Sequence, residues 1–260
     1  MKVGTDAMIL GAYAGARAKS ERAESGERDN AKSERAGSAA YRILDIGTGT
    51  GILSLMLAQS LSQIRSRSSL SALPMIDAID IDENSYLQAK ENFENSSWRN
   101  RIHAFHSSIQ DFNPADEEKY NLIISNPPYF EHNQKASKES DRYNERTNAR
   151  SFDKLSFSDL LAHASRLLEE DGMFYVIIPA VAAVSFISEA AENNMFLFDR
   201  LHIQSWQNQE PVRTILGFAK TKMDLKETNV VIYEDKGGYT DEYIELTKNY
   251  HAREMRKKGT

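Results

Sequence analysis

Tyr41-Arg42-Ile43-Leu44-Asp45-Ile46-Gly47-Thr48-Gly49-Thr50-Gly51, followed at once by Ile52-Leu53-Ser54-Leu55-Met56-Leu57-Ala58-Gln59, decides how the fold is read. A short apolar run, alternate glycines and an amphipathic segment predict a buried strand, a tight turn and a helix. Glycines at 47, 49 and 51 let the backbone approach a ligand and expose the N–H groups of the helix start. Their G-x-G-x-G spacing differs from the G-x-G-x-x-G of dinucleotide-binding turns. Asp45, just before the first glycine, would repel a pyrophosphate and suits a ligand bearing an ammonium group. That combination points to S-adenosylmethionine rather than a nicotinamide dinucleotide.

Downstream, Met75-Ile76-Asp77-Ala78-Ile79 predicts a second strand ending in Asp80-Ile81-Asp82. In a doubly wound sheet the acid closing the second strand receives ribose hydroxyls, ordinarily about 20 residues past the glycines. Residues 62–74, rich in serine, read as a lengthened loop that accounts for the greater distance here. Asp80 is the expected ligand group, and Asp82 the expected cap of a helix over 83–94. Residues 101–106 predict a third strand, and Ser108 follows it where an adenine ring would lie. His103 and His106 lack metal-ligand company and read as strand histidines.

The second decisive stretch is Ser125-Asn126-Pro127-Pro128-Tyr129, which follows the apolar run over 120–124. Two prolines remove two N–H donors and fix φ, so the loop is stiff and its carbonyls are free to accept. The carbonyls of Asn126 and Pro127 suit the two hydrogens of a planar amine, with Tyr129 as a stacking face. Read alone, Asn-Pro-Pro is also ordinary turn punctuation; the upstream glycine turn is what favours a binding loop.

Composition narrows the classes. With 260 residues the chain suits one large α/β domain, and the absence of cysteine excludes disulfides, thiolate nucleophiles and cysteine-ligated metals. No metal is expected. No apolar run approaches the length of a membrane span, and the opening Met1-Lys2-Val3-Gly4-Thr5 lacks a signal-peptide core, so a cytoplasmic protein without a membrane partner is expected. The net charge of −6 argues against coating nucleic acid over the whole surface and leaves room for a local basic patch.

The remaining segments follow in order. A short helix is expected over 7–14, capped by Thr5 or Asp6, and a chain starting so close to it is expected to lack upstream residues. Residues 17–39, charged and almost free of apolar side chains, predict a mobile insertion, with a salt-bridged helix as the alternative. Residues 131–151 read either as a substrate-side flap carrying Arg146 and Arg150 toward phosphates, or as a solvated loop of mixed charge. A helix over 157–170 leads into a strand over 173–179. A helix over 183–193, strands near 198–204 and 213–218, an edge strand over 230–233 and a last helix from Thr240 to about Arg256 complete the chain. The cations near that end read as a solvated helix terminus.

The glycine turn after the first strand and Asn126-Pro127-Pro128-Tyr129 after the fourth resemble class I S-adenosylmethionine-dependent methyltransferases acting on amino groups. Lys2-Val3-Gly4-Thr5-Asp6, Leu10-Gly11-Ala12, Leu44-Asp45-Ile46-Gly47, Ala149-Arg150 and Tyr239-Thr240-Asp241-Glu242-Tyr243 with Leu246-Thr247 narrow the resemblance to the tRNA1(Val) N6-adenine methyltransferase family. That resemblance implies a doubly wound, Rossmann-like α/β domain spanning the chain. It has a mainly parallel seven-stranded sheet with helices on both faces. It also implies methylation of the adenine at tRNA position 37, with tRNA as partner; a monomer is the default expectation, the sequence not fixing the oligomeric state. On it, Thr5, Asp45, Gly47, Gly49, Gly51, Asp80 and Ser108 hold the cofactor. Asn126, Pro127 and Tyr129 act on the amine, and Arg146 and Arg150 grip RNA. Relatives usually carry a segment before Lys2, and often an acid where this chain has Ser108, so either Ser108 or Asp111 takes that role or cofactor affinity is reduced. A protein glutamine N5-methyltransferase, a DNA adenine methyltransferase and a noncatalytic RNA-binding module are the alternatives.

Overall fold

Eight strands form one sheet in the order β3-β2-β1-β4-β5-β7-β6-β8 in a computed structural model of the chain. It describes residues 4–29, 41–62, 73–114, 118–128, 155–235 and 237–251, with the backbone alone over 22–29. The strands are β1 (Arg42–Ile46), β2 (Met75–Asp80), β3 (Ile102–His106), β4 (Tyr120–Ser125), β5 (Leu168–Pro179), β6 (Phe196–Trp206), β7 (Arg213–Ala219) and β8 (Lys226–Tyr233). β7 runs antiparallel to its neighbours β5 and β6, and the other pairs are parallel. The mainly parallel sheet is as expected, with eight strands in place of seven because 230–233 belongs to a full edge strand.

Side-chain alternation along the strands sends apolar residues to both faces. In β1, Ile43 joins one core while Leu44 and Ile46 join the other. The first core is covered by α1 (Thr5–Asp29), α2 (Ile52–Ser62), α3 (Glu83–Glu94) and α6 (Asp241–Thr247). The second is covered by α4 (Phe157–Leu167) and α5 (Ala183–Glu192), through Leu160, Leu161, Ala164 and Phe186. Helices on both faces leave the ends of the strands as the place where a ligand can enter.

Three boundaries differ from expectation. α1 continues to Asp29, where a mobile insertion was expected from residue 17. Ala18 is buried and Arg17 reaches the carboxylate of Asp199, so the sheet stabilises a segment whose composition alone would not. Residues 30–40 and 63–72 lie outside the described residues. α4 ends at Leu167, and Leu168 already pairs with Tyr120 as the start of β5. Gly172 makes that early entry possible, since a Cβ there would meet Leu168 and the carbonyl of Tyr120 at 2.9 Å. α6 closes at Thr247 with a short 3-10 turn over Lys248–Tyr250; the rest of the expected final helix, from 252, lies outside the described residues.

Candidate functional site

A cleft of about 820 Å³ opens at the carboxyl ends of the first four strands. Its position follows from topology. The order β3-β2-β1-β4 reverses direction at β1, so the loops after β1 and β4 diverge to opposite faces and leave a crevice between them. Ile46 and Ser125 are register partners across β1 and β4, which makes Gly47 and Asn126 the next residues on either side of the crevice. The Ser125 hydroxyl donates to the Ile46 carbonyl at 2.9 Å and fixes the two strand ends together. Gly47, Asp80, Ser108, Asn126 and Pro128 all line the cleft.

The glycine turn is held from behind. The N–H groups of Gly47 and Thr48 donate to the Ile79 carbonyl at 2.9 and 3.0 Å. The Gly49 N–H donates to Asp80 Oδ2 at 2.8 Å, and the Asp82 N–H to Asp80 Oδ1 at 2.9 Å. Asp80 therefore sits at the cleft wall with its carboxylate held by two backbone donors, as a preoriented acceptor. Asp82 accepts from the Ser85 N–H at 2.8 Å and caps α3, as expected. The Ser107 N–H donates to the Asp80 carbonyl at 3.0 Å and brings the segment after β3 alongside. There the Ser108 hydroxyl donates to Asp111 Oδ2 at 2.7 Å, and both residues line the cleft.

Two expected ligand groups have other work. Asp45 was expected to face an ammonium group, but it is fully buried behind the turn, with Oδ2 accepting from the hydroxyls of Thr48 and Ser54, each at 2.7 Å. Burial raises its pKa to about 6, against the lowering effect of those hydrogen bonds. Its side chain joins the turn to α2 and does not reach the cleft.

Gly51 has φ +79°, and a Cβ there would overlap the Phe93 ring of α3. The residue is required by helix packing rather than by ligand approach. Gly51→Ala is accordingly expected to destabilise the fold by about 2–4 kcal/mol, combining left-handed backbone strain with overpacking. Chemical denaturation would read the loss, and in a double-mutant cycle with Phe93→Ala the two losses should be less than additive, because truncating the ring removes the overpacking.

Thr5 begins α1 at the same edge of the sheet. The next residue, Asp6, pairs with Arg213 at 3.1 Å, and Arg213 lies opposite Pro179 at the end of β5. Thr5 itself is exposed and does not line this cleft. Pro127 is buried beneath the loop while Pro128 faces outward. Tyr129, Arg146 and Arg150 lie outside the described residues.

The cleft also holds groups that sequence reasoning missed. Ile81, Ile109 and Gln110 follow strand ends and add apolar and amide surface. Leu155 and Asp159 arrive from the start of α4, where Ser156 caps the helix by accepting the Asp159 N–H at 3.0 Å. The Ser-x-x-Asp spacing at 156–159 signalled that cap, but nothing local signalled that it would face the cleft. Among the described residues no group of three histidine or acidic side chains could hold a metal ion, and no helix is long and apolar enough to cross a membrane.

Known proteins resemble the chain in sequence and in fold. A family model described as the methyltransferase small domain matches residues 33–193. A Flavobacterium psychrophilum protein named tRNA1(Val) (adenine(37)-N6)-methyltransferase is 34% identical over 253 residues, covering 97% of this chain and 93% of its own length. A Trichodesmium erythraeum protein of the same name is 35% identical over 253 residues, covering 97% of this chain and 92% of its own. Among solved structures, a predicted O-methyltransferase from Agrobacterium tumefaciens superposes with a TM-score of 0.62 at 15% identity, covering 96% of this chain and 98% of that one, a likeness of fold.

Proposed function

Since the chain belongs to the tRNA1(Val) (adenine(37)-N6)-methyltransferase family, we propose that its cleft transfers a methyl group from S-adenosylmethionine to the exocyclic nitrogen of that adenine in tRNA. The observation that carries this reading is the convergence of the glycine turn, Asp80 and Asn126 on a single cleft. The residues present fit the donor. A carboxylate already held by two N–H groups suits ribose hydroxyls. Ile81, Ile109 and Pro128 give an apolar lining, and the bonded pair Ser108 and Asp111 offers oxygens to an adenine amino group. A volume of about 820 Å³ falls within the range of pockets that enclose ligands of this size.

When bound, S-adenosylmethionine supplies an electrophilic methyl on a sulfonium sulfur. The protein's part is to position and polarise the acceptor. The adenine amino nitrogen is a poor nucleophile because its lone pair is delocalised into the ring. The side-chain carbonyl of Asn126 and the backbone carbonyl of Pro127 accept its two hydrogens and direct the lone pair along the line of attack. No strong base is needed beforehand, because the proton leaves after nitrogen has become positively charged. Tyr129 is assigned to stack on the base, and Arg146 and Arg150 to contact phosphates.

The test is labelled methyl transfer to unmodified tRNA, total DNA and peptide release factors side by side, with nucleoside and amino-acid analysis. N6-methyladenosine in tRNA, with DNA and release factors unlabelled, is the expected outcome. Label in DNA or on glutamine would replace this reading with one of the alternatives. At the cofactor end, Asp80→Asn should weaken cofactor binding by about 10–100-fold, the loss of one or two charged hydrogen bonds, while turnover at saturating cofactor is largely kept. Calorimetric titration would show it, and unchanged affinity would remove Asp80 from the site.

A further inference from the structure

The surface between the catalytic loop and the far edge of the sheet is unusually apolar for a rim exposed to water. Val181 and Val184 follow β5 with 95% and 81% of their surface exposed, Val212 precedes β7 at 41%, and Trp206 ends β6 at 36%. All four lie at the carboxyl edge of the parallel strands, the edge that carries Asn126. The connectors after β5 and before β7 are joined there by the Ala180 N–H to the Val212 carbonyl at 3.3 Å.

Trp206 is also held unusually firmly. It pairs in register with Tyr233 of β8, and the two rings lie 5.1 Å apart at 35°. Tyr233 stacks on Tyr239 at 5.6 Å, and Tyr239 on Tyr243 at 4.9 Å, so a ladder of four rings runs out from the buried Tyr243. Its outer end is an indole whose orientation is already set. The entropy of ordering a large aromatic is thus met by folding rather than by binding. Gln207, Asn208 and Gln209 continue from it as an exposed turn whose amides can donate and accept.

We propose that Trp206 is a stacking platform for an unpaired base of the substrate RNA, a nucleotide beyond the adenine that enters the cleft. The proposal rests on the reading of the chain as a tRNA methyltransferase. β4 and β6 are three strand positions apart, about 14 Å across the sheet, and Trp206 stands further out along β6 than Arg200, which is level with Ser125; the platform therefore lies roughly 20–25 Å from the catalytic loop, a span that a few nucleotides of a loop can cover. An anticodon loop presents such unstacked bases, and single-stranded RNA is held by aromatic faces of this kind. The valines between the two points offer apolar surface along the path.

The chain has two tryptophans, so Trp98→Phe leaves Trp206 as the sole indole. In that variant, titration with an unmodified anticodon stem-loop should quench the indole emission, whereas a blunt RNA duplex without a loop should not. In the otherwise unaltered chain, Trp206→Ala should raise the KM for tRNA about tenfold, with kcat at saturating tRNA and cofactor affinity unchanged; Trp206→Phe should retain part of the effect. Methylation of the stem-loop with no change in emission, or an unchanged KM in Trp206→Ala, would overturn the platform while leaving the substrate reading intact. Failure of the unaltered chain to methylate any tRNA would overturn both.

Discussion

Replacing Asn126 with alanine is expected to reduce methyl transfer by about 10²–10³-fold, the cost of losing one oriented polar partner of the reacting group. Cofactor affinity should stay unchanged. The separation follows from where the residue sits. Asn126 is the first residue past β4, across the crevice from Gly47, and the buried bond from Ser125 to Ile46 holds the two strand ends in place without using the Asn126 side chain. Truncation therefore removes the acceptor proposed for the adenine amine, while Asp80 keeps its own backbone donors at Gly49 and Asp82. Asn126→Asp is a sharper probe, since a carboxylate keeps the acceptor but loses the amide N–H groups. Single-turnover rates beside cofactor titrations would show the split. Loss of cofactor binding together with turnover would move Asn126 from the amine to the cofactor.

The second large effect is expected far from the chemistry. Asp199→Ala should destabilise the protein by about 3–5 kcal/mol, the range for breaking a buried ion pair from one side. Asp199 is almost completely buried in β6. Its carboxylate accepts from the hydroxyls of Tyr13 at 2.8 Å and Tyr175 at 3.0 Å, and pairs with Arg17 at 2.8 Å. Burial, followed by the charge of Asp199, holds the Tyr175 hydroxyl firmly protonated. Removing the carboxylate leaves the buried Tyr175 hydroxyl without its acceptor and the half-buried Arg17 with only the Tyr13 hydroxyl, and so unties α1 from β5 and β6. The space is confined as well, because a Cβ on Gly217 would press on Tyr175 at 2.6 Å and on Asp199 at 3.0 Å. Asp199→Asn, which keeps an acceptor but loses the charge, should fall between. Urea unfolding midpoints at constant slope would measure both, and a loss below about 1 kcal/mol would show that α1 does not depend on this contact.

These two sites illustrate what a linear reading can and cannot reach. That Asp80, Ser108 and Asn126 share one cleft was legible because each closes or follows a short strand, and in a parallel sheet strand ends converge on one edge. The cap at Asp82 was legible because its partner lies three residues away. Asp45 was misjudged because its burial depends on α2 folding back over the turn, which brings Ser54 to it. Gly51 was misjudged because the ring it accommodates is Phe93, on another helix. The charged continuation of α1 read as an insertion because the acceptor for Arg17 is Asp199, supplied by a strand formed late in the chain. Trp206 drew no notice for the same reason, its ladder being assembled from β8, the turn at Tyr239 and α6. Which edge a residue reaches was readable from its strand; which side chain it packs against was lost wherever another helix or strand supplied the partner.

The account stands on one geometry, an amine held by the loop after β4 and aimed at a methyl donor over the glycine turn. A crystal structure with S-adenosylhomocysteine and an adenine-containing RNA loop tests it most directly. The expected result is the Asn126 side-chain oxygen within hydrogen-bond reach of the adenine amine, about 2.6–3.2 Å, with that nitrogen facing the sulfur and the ribose on Asp80. An adenine bound elsewhere, or Asn126 turned away from it while the cofactor occupies the cleft, would contradict the account.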